Sequence, residues 1–206
     1  MIELLNCDCM EYMATVPDKY FDLAVVDPPY GIDLANMTRG KWGSSRLENK
    51  DWDKKTPDSI FFDELFRVSK NQIIWGGNYF NLPPSRCFLI WDKGAGFKDR
   101  SYAECEQAWT SFDANAKIYK RDPLACGDYK WKIHPTQKPV KLYEWLLTNY
   151  AKKGQRILDT HLGSGSSAIA AHYFGVDFVG CELDKDYFEA AKARFDMATK
   201  QLAMSI

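Results

Sequence analysis

The sequence predicts an α/β fold, a mostly parallel sheet flanked by helices. Short apolar runs bounded by turn residues alternate along the chain with stretches of helical periodicity, the pattern of strand–helix–strand units. Two of those runs end in turns that carry unusual chemistry, Asp27-Pro28-Pro29-Tyr30 and the glycine turn at Gly163, and open α/β sheets bind their ligands at such strand ends. No repeat or low-complexity tract interrupts the alternation.

Taken in order, Ile2–Leu5 and Leu23–Val26 read as strands. A helix over Ile60–Val68 puts Phe61, Leu65 and Val68 on one face. Strands are predicted at Gln72–Trp75, Cys87–Trp91 and Glu106–Trp109, and a helix over Val140–Tyr150 gathers Leu142, Trp145, Leu146 and Asn149. Arg156–Leu158 and Phe178–Cys181 complete the strands, while Ser166–Phe174 and Asp186–Leu202 are helical. Polar, glycine-containing and basic stretches at Asp33–Pro57 and Asp92–Lys132 read as loop or insertion material.

With 206 residues, 46% hydrophobic and 27% charged, the chain fits one globular domain. A chain of this size buries roughly 70% of its unfolded surface, so the core needs no disulfide or metal staple. No apolar run approaches the ~20 residues that span a bilayer, and the first residues, read as a strand and a turn, lack the pattern of a signal peptide. The six cysteines, Cys7, Cys9, Cys87, Cys105, Cys126 and Cys181, form no CxxC pair, so no metal site is expected and a reduced, cytoplasmic setting is.

The net charge of −1 argues mildly against a nucleic-acid binder, but its distribution matters more than its sum. Arg39, Lys41 and Arg46 form one basic group. Lys93, Lys98, Arg100, Lys117, Lys120, Arg121, Lys130 and Lys132 crowd the middle, whereas Asp159, Asp177, Glu182, Asp184, Asp186 and Glu189 make the end acidic. A one-sided surface for DNA and a plain mixed surface both fit this pattern.

Near the C-terminus, Arg156-Ile157-Leu158-Asp159-Thr160-His161-Leu162-Gly163-Ser164-Gly165-Ser166-Ser167-Ala168 runs from strand through glycine turn into helix. Glycines allow tight turns and close approach of a ligand. Glu182 follows nineteen residues after Gly163 at the end of the next strand, where a carboxylate can accept from both hydroxyls of a ribose. Alone, this unit also fits a dinucleotide fingerprint. Asp159 would repel a pyrophosphate there but attract an ammonium, so charge favours S-adenosylmethionine.

Asp27-Pro28-Pro29-Tyr30 follows the apolar strand Leu23–Val26. Two prolines stiffen the turn, which fixes the Asp27 carboxylate relative to the Pro28 carbonyl. Two acceptors beside one aromatic ring suit an amino group on a flat base.

At these residues the sequence resembles the amino-type DNA methyltransferases, whose catalytic motif reads D/N/S-P-P-Y/F/W. The catalytic motif comes first, the basic region second and the glycine motif last, which looks like the circularly permuted beta group of Rossmann-like methyltransferases. Asn6-Cys7-Asp8-Cys9-Met10 resembles the segment whose Asp contacts the cofactor adenine, and His134-Pro135-Thr136-Gln137-Lys138-Pro139 resembles the H-P-T-x-K-P motif that helps hold the methionine end. Trp75–Phe80 and Pro83–Arg86 look like segments of phage or prophage members. These matches span most of the chain.

The resemblance implies one domain over residues 1–206, with a catalytic half at 1–91, DNA-contact insertions near 33–57 and 92–132, and a cofactor half at 134–206. It places S-adenosylmethionine against Asp8, Cys9, Asp27, Thr136, Lys138, Asp159, Thr160, His161, Gly163, Ser164, Gly165, Ser166, Glu182 and Leu183. Asp27, Pro28, Pro29 and Tyr30 carry catalysis. Arg39, Lys41, Arg46, Lys93, Lys98, Arg100, Lys117, Lys120 and Arg121 are the residues expected to contact double-stranded DNA. Adenine N6 is the expected target, with a short or relaxed recognition sequence, and a homodimer is expected because the group often dimerises. Cytosine N4, RNA adenine, a nicotinamide-dependent oxidoreductase and an inactive DNA-binding module are the alternatives. One departure stands out: Thr160 and His161 replace the Pro and Phe that the family commonly carries after the aspartate, so the part His161 plays is open.

Overall fold

The computed structural model describes residues 1–32 and 53–200. Eight strands form one sheet: β1 (Ile2–Asn6), β2 (Phe21–Val26), β3 (Ser69–Trp75), β4 (Phe88–Asp92), β5 (Cys105–Thr110), β6 (Lys117–Lys120), β7 (Arg156–Asp159) and β8 (Asp177–Glu182). Among the described residues five α-helices accompany them: α1 (Cys9–Ala14), α2 (Ser59–Val68), α3 (Val140–Tyr150), α4 (Ser166–Phe174) and α5 (Lys185–Lys200). The strand order is β1-β8-β7-β2-β3-β5-β4-β6. Among the described residues β5 alone runs against the rest, pairing antiparallel with both β3 and β4.

The predicted strands and helices are all present, with boundaries shifted by a few residues. Two elements differ from the sequence reading. The turn after β1 opens α1, because the Asp8 side chain accepts from the Met10 amide (2.7 Å) and caps the helix. The basic stretch 117–120 is strand β6, lying parallel to β4 at the sheet edge. Residues 92–132 are therefore insertion only in part, since they supply two strands. The stretch read as an insertion at 33–57 lies mostly outside the described residues, as do 201–202 of the last predicted helix.

Strand periodicity sorts the core into two layers. Leu23 and Val25, Ile73 and Trp75, Leu89 and Trp91, and Ile157 face the side covered by α3 and α4, where Leu142, Leu146, Ala168 and Ala171 meet them. Ala24, Val26, Ile74 and Leu158 point the other way, onto Met13 of α1 and Phe61, Phe62, Leu65 and Val68 of α2. Central parallel strands buried on both faces read as continuous apolar runs, as Leu23–Val26 and Ile73–Trp75 do.

The connections decide where a ligand can enter. From β7 the chain passes through α4 to β8 on one side, and from β2 through α2 to β3 on the other. With α4 and α2 on opposite faces, the neighbouring strands β7 and β2 part company at a topological switch point, where a crevice opens at the carboxyl ends. β2 and β7 are in register at Leu23 with Ile157 and Ala24 with Leu158, so Asp27 and Asp159 emerge together at that crevice.

Leu65 is fully buried between α1, α2 and the sheet. Leu65→Ala is expected to lower stability by about 2–5 kcal/mol, measured by denaturant unfolding with an unchanged slope.

Candidate active site

Three segments converge at the switch point: the turn after β2, the loop before α3 and the turn after β7. Asp27 leaves β2 with both carboxylate oxygens engaged. The Tyr30 hydroxyl donates to Oδ1 (2.5 Å), and the Lys138 ammonium bonds Oδ2 (2.5 Å) and reaches the Tyr30 oxygen at 3.2 Å. The Asp53 carboxylate accepts from the Tyr30 and Gly31 amides (2.8 and 3.1 Å), pinning the end of the turn.

The Tyr30 ring is packed on two sides. Tyr79 stacks on it with centroids 5.0 Å apart and planes 13° from parallel. Gly76 lies against it so closely that a Cβ there would sit 2.2 Å from the ring. Tyr79 is itself half exposed, so an incoming aromatic group meets a pair of tyrosines rather than one open ring.

Lys138 is shared. Its ammonium also pairs with Glu106 Oε2 (3.0 Å), and Glu106 Oε1 pairs with Lys93 (2.7 Å). The result is a buried alternation of charge, Asp27, Lys138, Glu106, Lys93. Burial alone would raise the Glu106 carboxyl, but the two ammonium groups overcome it and bring its pKa down to about 2. Burial likewise opposes the charge on Lys138, and Asp27 and Glu106 together hold its pKa above the ordinary lysine value. The Asp27 carboxyl is pushed up by burial, against the pull of Lys138. The Trp75 ring lies beneath Lys138 at 5.3 Å, and its buried indole N–H has no acceptor among the described residues.

The glycine turn has a different character. Gly163 and Gly165 hold φ of +52° and +72°, a region that favours glycine. Glu182, at the end of β8, accepts from the Gly163 amide (2.8 Å) and the Asp184 amide (3.0 Å). Arg194 of α5 donates to the Ser164 carbonyl and the Ser166 hydroxyl (2.7 and 2.9 Å), bracing the turn from behind. Asp159 is buried, and its donors are the neutral His161 amide (3.0 Å) and Ser167 hydroxyl (2.6 Å). Desolvation outweighs these two hydrogen bonds and raises its pKa to about 7. Leu183, beside Glu182, is 70% exposed.

His161 packs edge-on against Phe61 (5.5 Å) and contacts the Thr160 hydroxyl (2.9 Å). Burial brings its pKa down to about 4, so it is a neutral ring near pH 7. Asp8 is engaged as the α1 cap and Cys9 is half-buried in the first turn, both at the end of β1. His134 contacts the Thr136 hydroxyl (3.0 Å) and lies 3.6 Å from where a Cβ on Gly163 would be. One short segment thus touches both turns: its His134 end meets the glycine turn, and its Lys138 end meets Asp27 and Tyr30.

The basic residues divide. Lys98, Arg100, Lys117 and Lys120 are exposed; Lys120 lies at the site end of β6, whereas Lys117 at its other end bonds Asn149 of α3 (2.7 Å). Lys93, expected on a DNA-facing surface, is instead buried on Glu106. Arg121 is only partly exposed and bound by two bonds to Asp128 (2.8 and 2.9 Å), so it too departs from that expectation. Arg39, Lys41 and Arg46 lie outside the described residues. A cleft of about 420 Å³ lined by Phe66, Pro84, Arg86, Trp109 and Phe112 opens at the opposite end of the strands and contains none of the expected site residues.

Sequence reasoning missed Glu106, Tyr79 and Asp53. For Glu106 a signal was available: it shares a strand face with Ala108 and Thr110, both buried, so a charge was pointing inward.

Residues 90–193 match the family model of DNA methylases that act on N6 or N4 positions. The YubD protein of Escherichia coli K12, named as a methylase, is 28% identical over 99% of this chain and 93% of its own length. The type II methyltransferase M2.LlaDCHI of Lactococcus lactis subsp. cremoris is 27% identical over 81% of this chain, which spans 57% of that protein. Among solved structures, the M1.HpyAVI–SAM complex superposes with a TM-score of 0.62 at 20% identity, covering 94% of this chain and all of that one. The cytosine-N4-specific PvuII DNA methyltransferase gives 0.61 at 12%, covering 97% and 90%. At these identities the structural likeness establishes the fold.

Gly76 offers a direct check on the packing around Tyr30. With φ at +71° and the Tyr30 ring in the way, Gly76→Ala is expected to displace the ring and reduce activity at least tenfold while the chain still folds. Circular dichroism and initial rates together measure this.

Proposed function

The chain belongs to the N6/N4 DNA methylase family, and we propose that it transfers a methyl group from S-adenosylmethionine to N6 of adenine in double-stranded DNA. The observation that supports this reading is the segment His134–Lys138, which joins the glycine turn to the Asp27–Tyr30 turn, so that a cofactor at the one would lie in the same crevice as an amino-group acceptor at the other.

The residues present fit the cofactor. Asp159 is a buried carboxylate whose donors among the described residues are neutral, suited to the α-ammonium of a methionine moiety. Glu182 accepts one backbone amide on each oxygen (2.8 and 3.0 Å), and a carboxylate has acceptor capacity for ribose hydroxyls besides. Leu183 presents an exposed apolar side chain on which an adenine ring can rest. The backbone at Gly163 carries no side chain, and Asp8 and Cys9 close the β1 end of the same edge. Thr136, Thr160, Ser164 and Ser166 line the turns. The cofactor supplies an electrophilic methyl group on a sulfonium.

The chain's own task is to present the amine. An amino group conjugated to a purine is a weak nucleophile. Asp27, with the Pro28 carbonyl, accepts its hydrogens and draws the nitrogen toward tetrahedral geometry, freeing the lone pair. The base reaches this position by leaving the duplex, and stacks against the Tyr30–Tyr79 pair, which accepts any base face. Orientation and preorganised charge are the main contributions of the protein. Exposed Lys98, Arg100 and Lys120, with Trp131 exposed between Lys130 and Lys132, suit contact with phosphates and bases.

Incubating DNA with labelled cofactor and digesting the product to nucleosides tests the reading: N6-methyldeoxyadenosine is expected, and N4-methyldeoxycytidine or methylated RNA alone would overturn the assignment. Asp27→Ala is expected to cost at least ~2 kcal/mol of transition-state stabilisation, about a thirtyfold loss in rate.

Cofactor affinity is also expected to depend on pH. Asp159 is protonated in the free protein below about pH 7, and an ammonium ligand selects its ionised form. Binding should therefore tighten as pH rises from 6 to 8, with release of a proton, in calorimetry across buffers of different ionisation enthalpy. Asp159→Asn should bind weakly and lose this dependence.

A further inference from the structure

We propose that Glu106 is a positioning residue: together with Lys93 it fixes the Lys138 ammonium against Asp27, and so holds the acceptor carboxylate in one orientation. The proposal rests on the reading of Asp27 as the acceptor of the base amino group.

A lysine head on four methylenes is a mobile point charge. Bound to one carboxylate it can swing, and Asp27 would swing with it. Here Lys138 is held from two strands at once, by Asp27 beyond β2 (2.5 Å) and by Glu106 on β5 (3.0 Å), with the Tyr30 hydroxyl oxygen at 3.2 Å and the Trp75 ring beneath. Glu106 in turn has one oxygen for each lysine: Oε1 on Lys93 and Oε2 on Lys138. Its position is therefore fixed from the side away from Asp27. Replacing buried ion pairs with apolar groups often leaves stability unchanged or raises it, so four buried charges in a row are poorly explained as stabilisers of the fold. They are well explained as a brace ending on the reacting group. Glu106 touches neither base nor cofactor in this reading and acts through Lys138.

The charged and titratable groups around the Lys138 ammonium are Asp27 and Tyr30 after β2, Glu106 on β5, and Lys93 after β4. Among the described residues, Tyr129 and Lys132 of the preceding loop, Tyr143 of α3 and Asp159 of β7 also act through their fields at Lys138, Glu106 or Asp27. Both carboxylates favour the ammonium form, against burial. Removing the charge of Glu106 should therefore let Lys138 deprotonate at lower pH.

The test compares the unsubstituted chain with Glu106→Asp and Glu106→Gln, all checked for equal melting behaviour and equal S-adenosylmethionine affinity. Titration of the Lys138 side chain by carbon-13 NMR is read beside the pH profile of kcat. The expected kcat order is unsubstituted, Glu106→Asp, Glu106→Gln, with at least a tenfold loss in the last and KM for DNA within about threefold. The alkaline limb of kcat and the titration of Lys138 should move to lower pH in the same order. If Glu106→Gln does not fold, Glu106→Asp decides alone, with a smaller shift of the same sign. A loss of kcat with limb and titration unmoved, or a Glu106→Gln kcat within twofold of normal, overturns the proposal. If the unsubstituted chain transfers no methyl group, the methyltransferase reading fails, while the Lys138 titration still decides whether Glu106 fixes that ammonium.

Discussion

The structure turns on a single shared cation. Lys138 lies where the loop before α3 crosses the carboxyl end of β2 and the amino end of the reversed strand β5, and it joins Asp27 to Glu106. Buried charges persist only when paired and hydrogen-bonded, so each member of this chain requires the next. Remove Lys138 and two carboxylates face each other in the interior; remove Glu106 and two lysines do. The constraint reaches outward as well, because Lys138 can arrive only if residues 134–138 cross the glycine turn first, where His134 stands against Gly163. Electrostatic pairing at one end thereby fixes contact geometry at the other.

Much of the fold was legible in the sequence because its central strands are buried on both faces, and such strands are apolar at every position. The stretches Leu23–Val26 of β2, Ile73–Trp75 of β3, Ile157–Leu158 of β7 and Phe178–Cys181 of β8 announce themselves in this way. β6 did not, since Lys117-Ile118-Tyr119-Lys120 lies at the sheet edge with Ile118 exposed, and an edge strand needs no apolar run. α1 was hidden for another reason. At six residues it is too short for helical periodicity to show, and its one clear signal is the capping aspartate, which the motif resemblance had already assigned to a ligand.

The site was legible where chemistry follows contiguous residues and obscure where it depends on the sheet. Asp27–Tyr30, His134–Lys138 and the glycine turn are each one short segment, and all three meet at the switch point. Glu106, Lys93 and Tyr79 come from separate elements, and only strand order brings them there. Lys93 illustrates the difficulty. In a linear reading it belongs to a basic cluster with Lys98 and Arg100, yet it continues the inward face of Leu89 and Trp91, and its charge ends inside the protein.

The reversed strand explains why such residues are available at all. In a wholly parallel sheet every strand delivers its last residues to the ligand edge. β5 runs the other way between β3 and β4, so it delivers its first residues instead, and Glu106 is the second of them. A carboxylate at the start of an antiparallel strand is held by ladder bonds to β4, with Glu106 opposite Trp91, more firmly than one in the loop beyond a parallel strand. The charges also balance differently on the two sides of the crevice. The Asp27 side alternates two carboxylates with two ammoniums and is neutral as a group, which suits an uncharged base. Asp159, one strand away, bonds only neutral donors and is held near the protonated state. On the proposed reading, a crevice neutral at Asp27 and anionic on ionisation at Asp159 would distinguish a base from an ammonium-bearing cofactor by charge before any shape is considered.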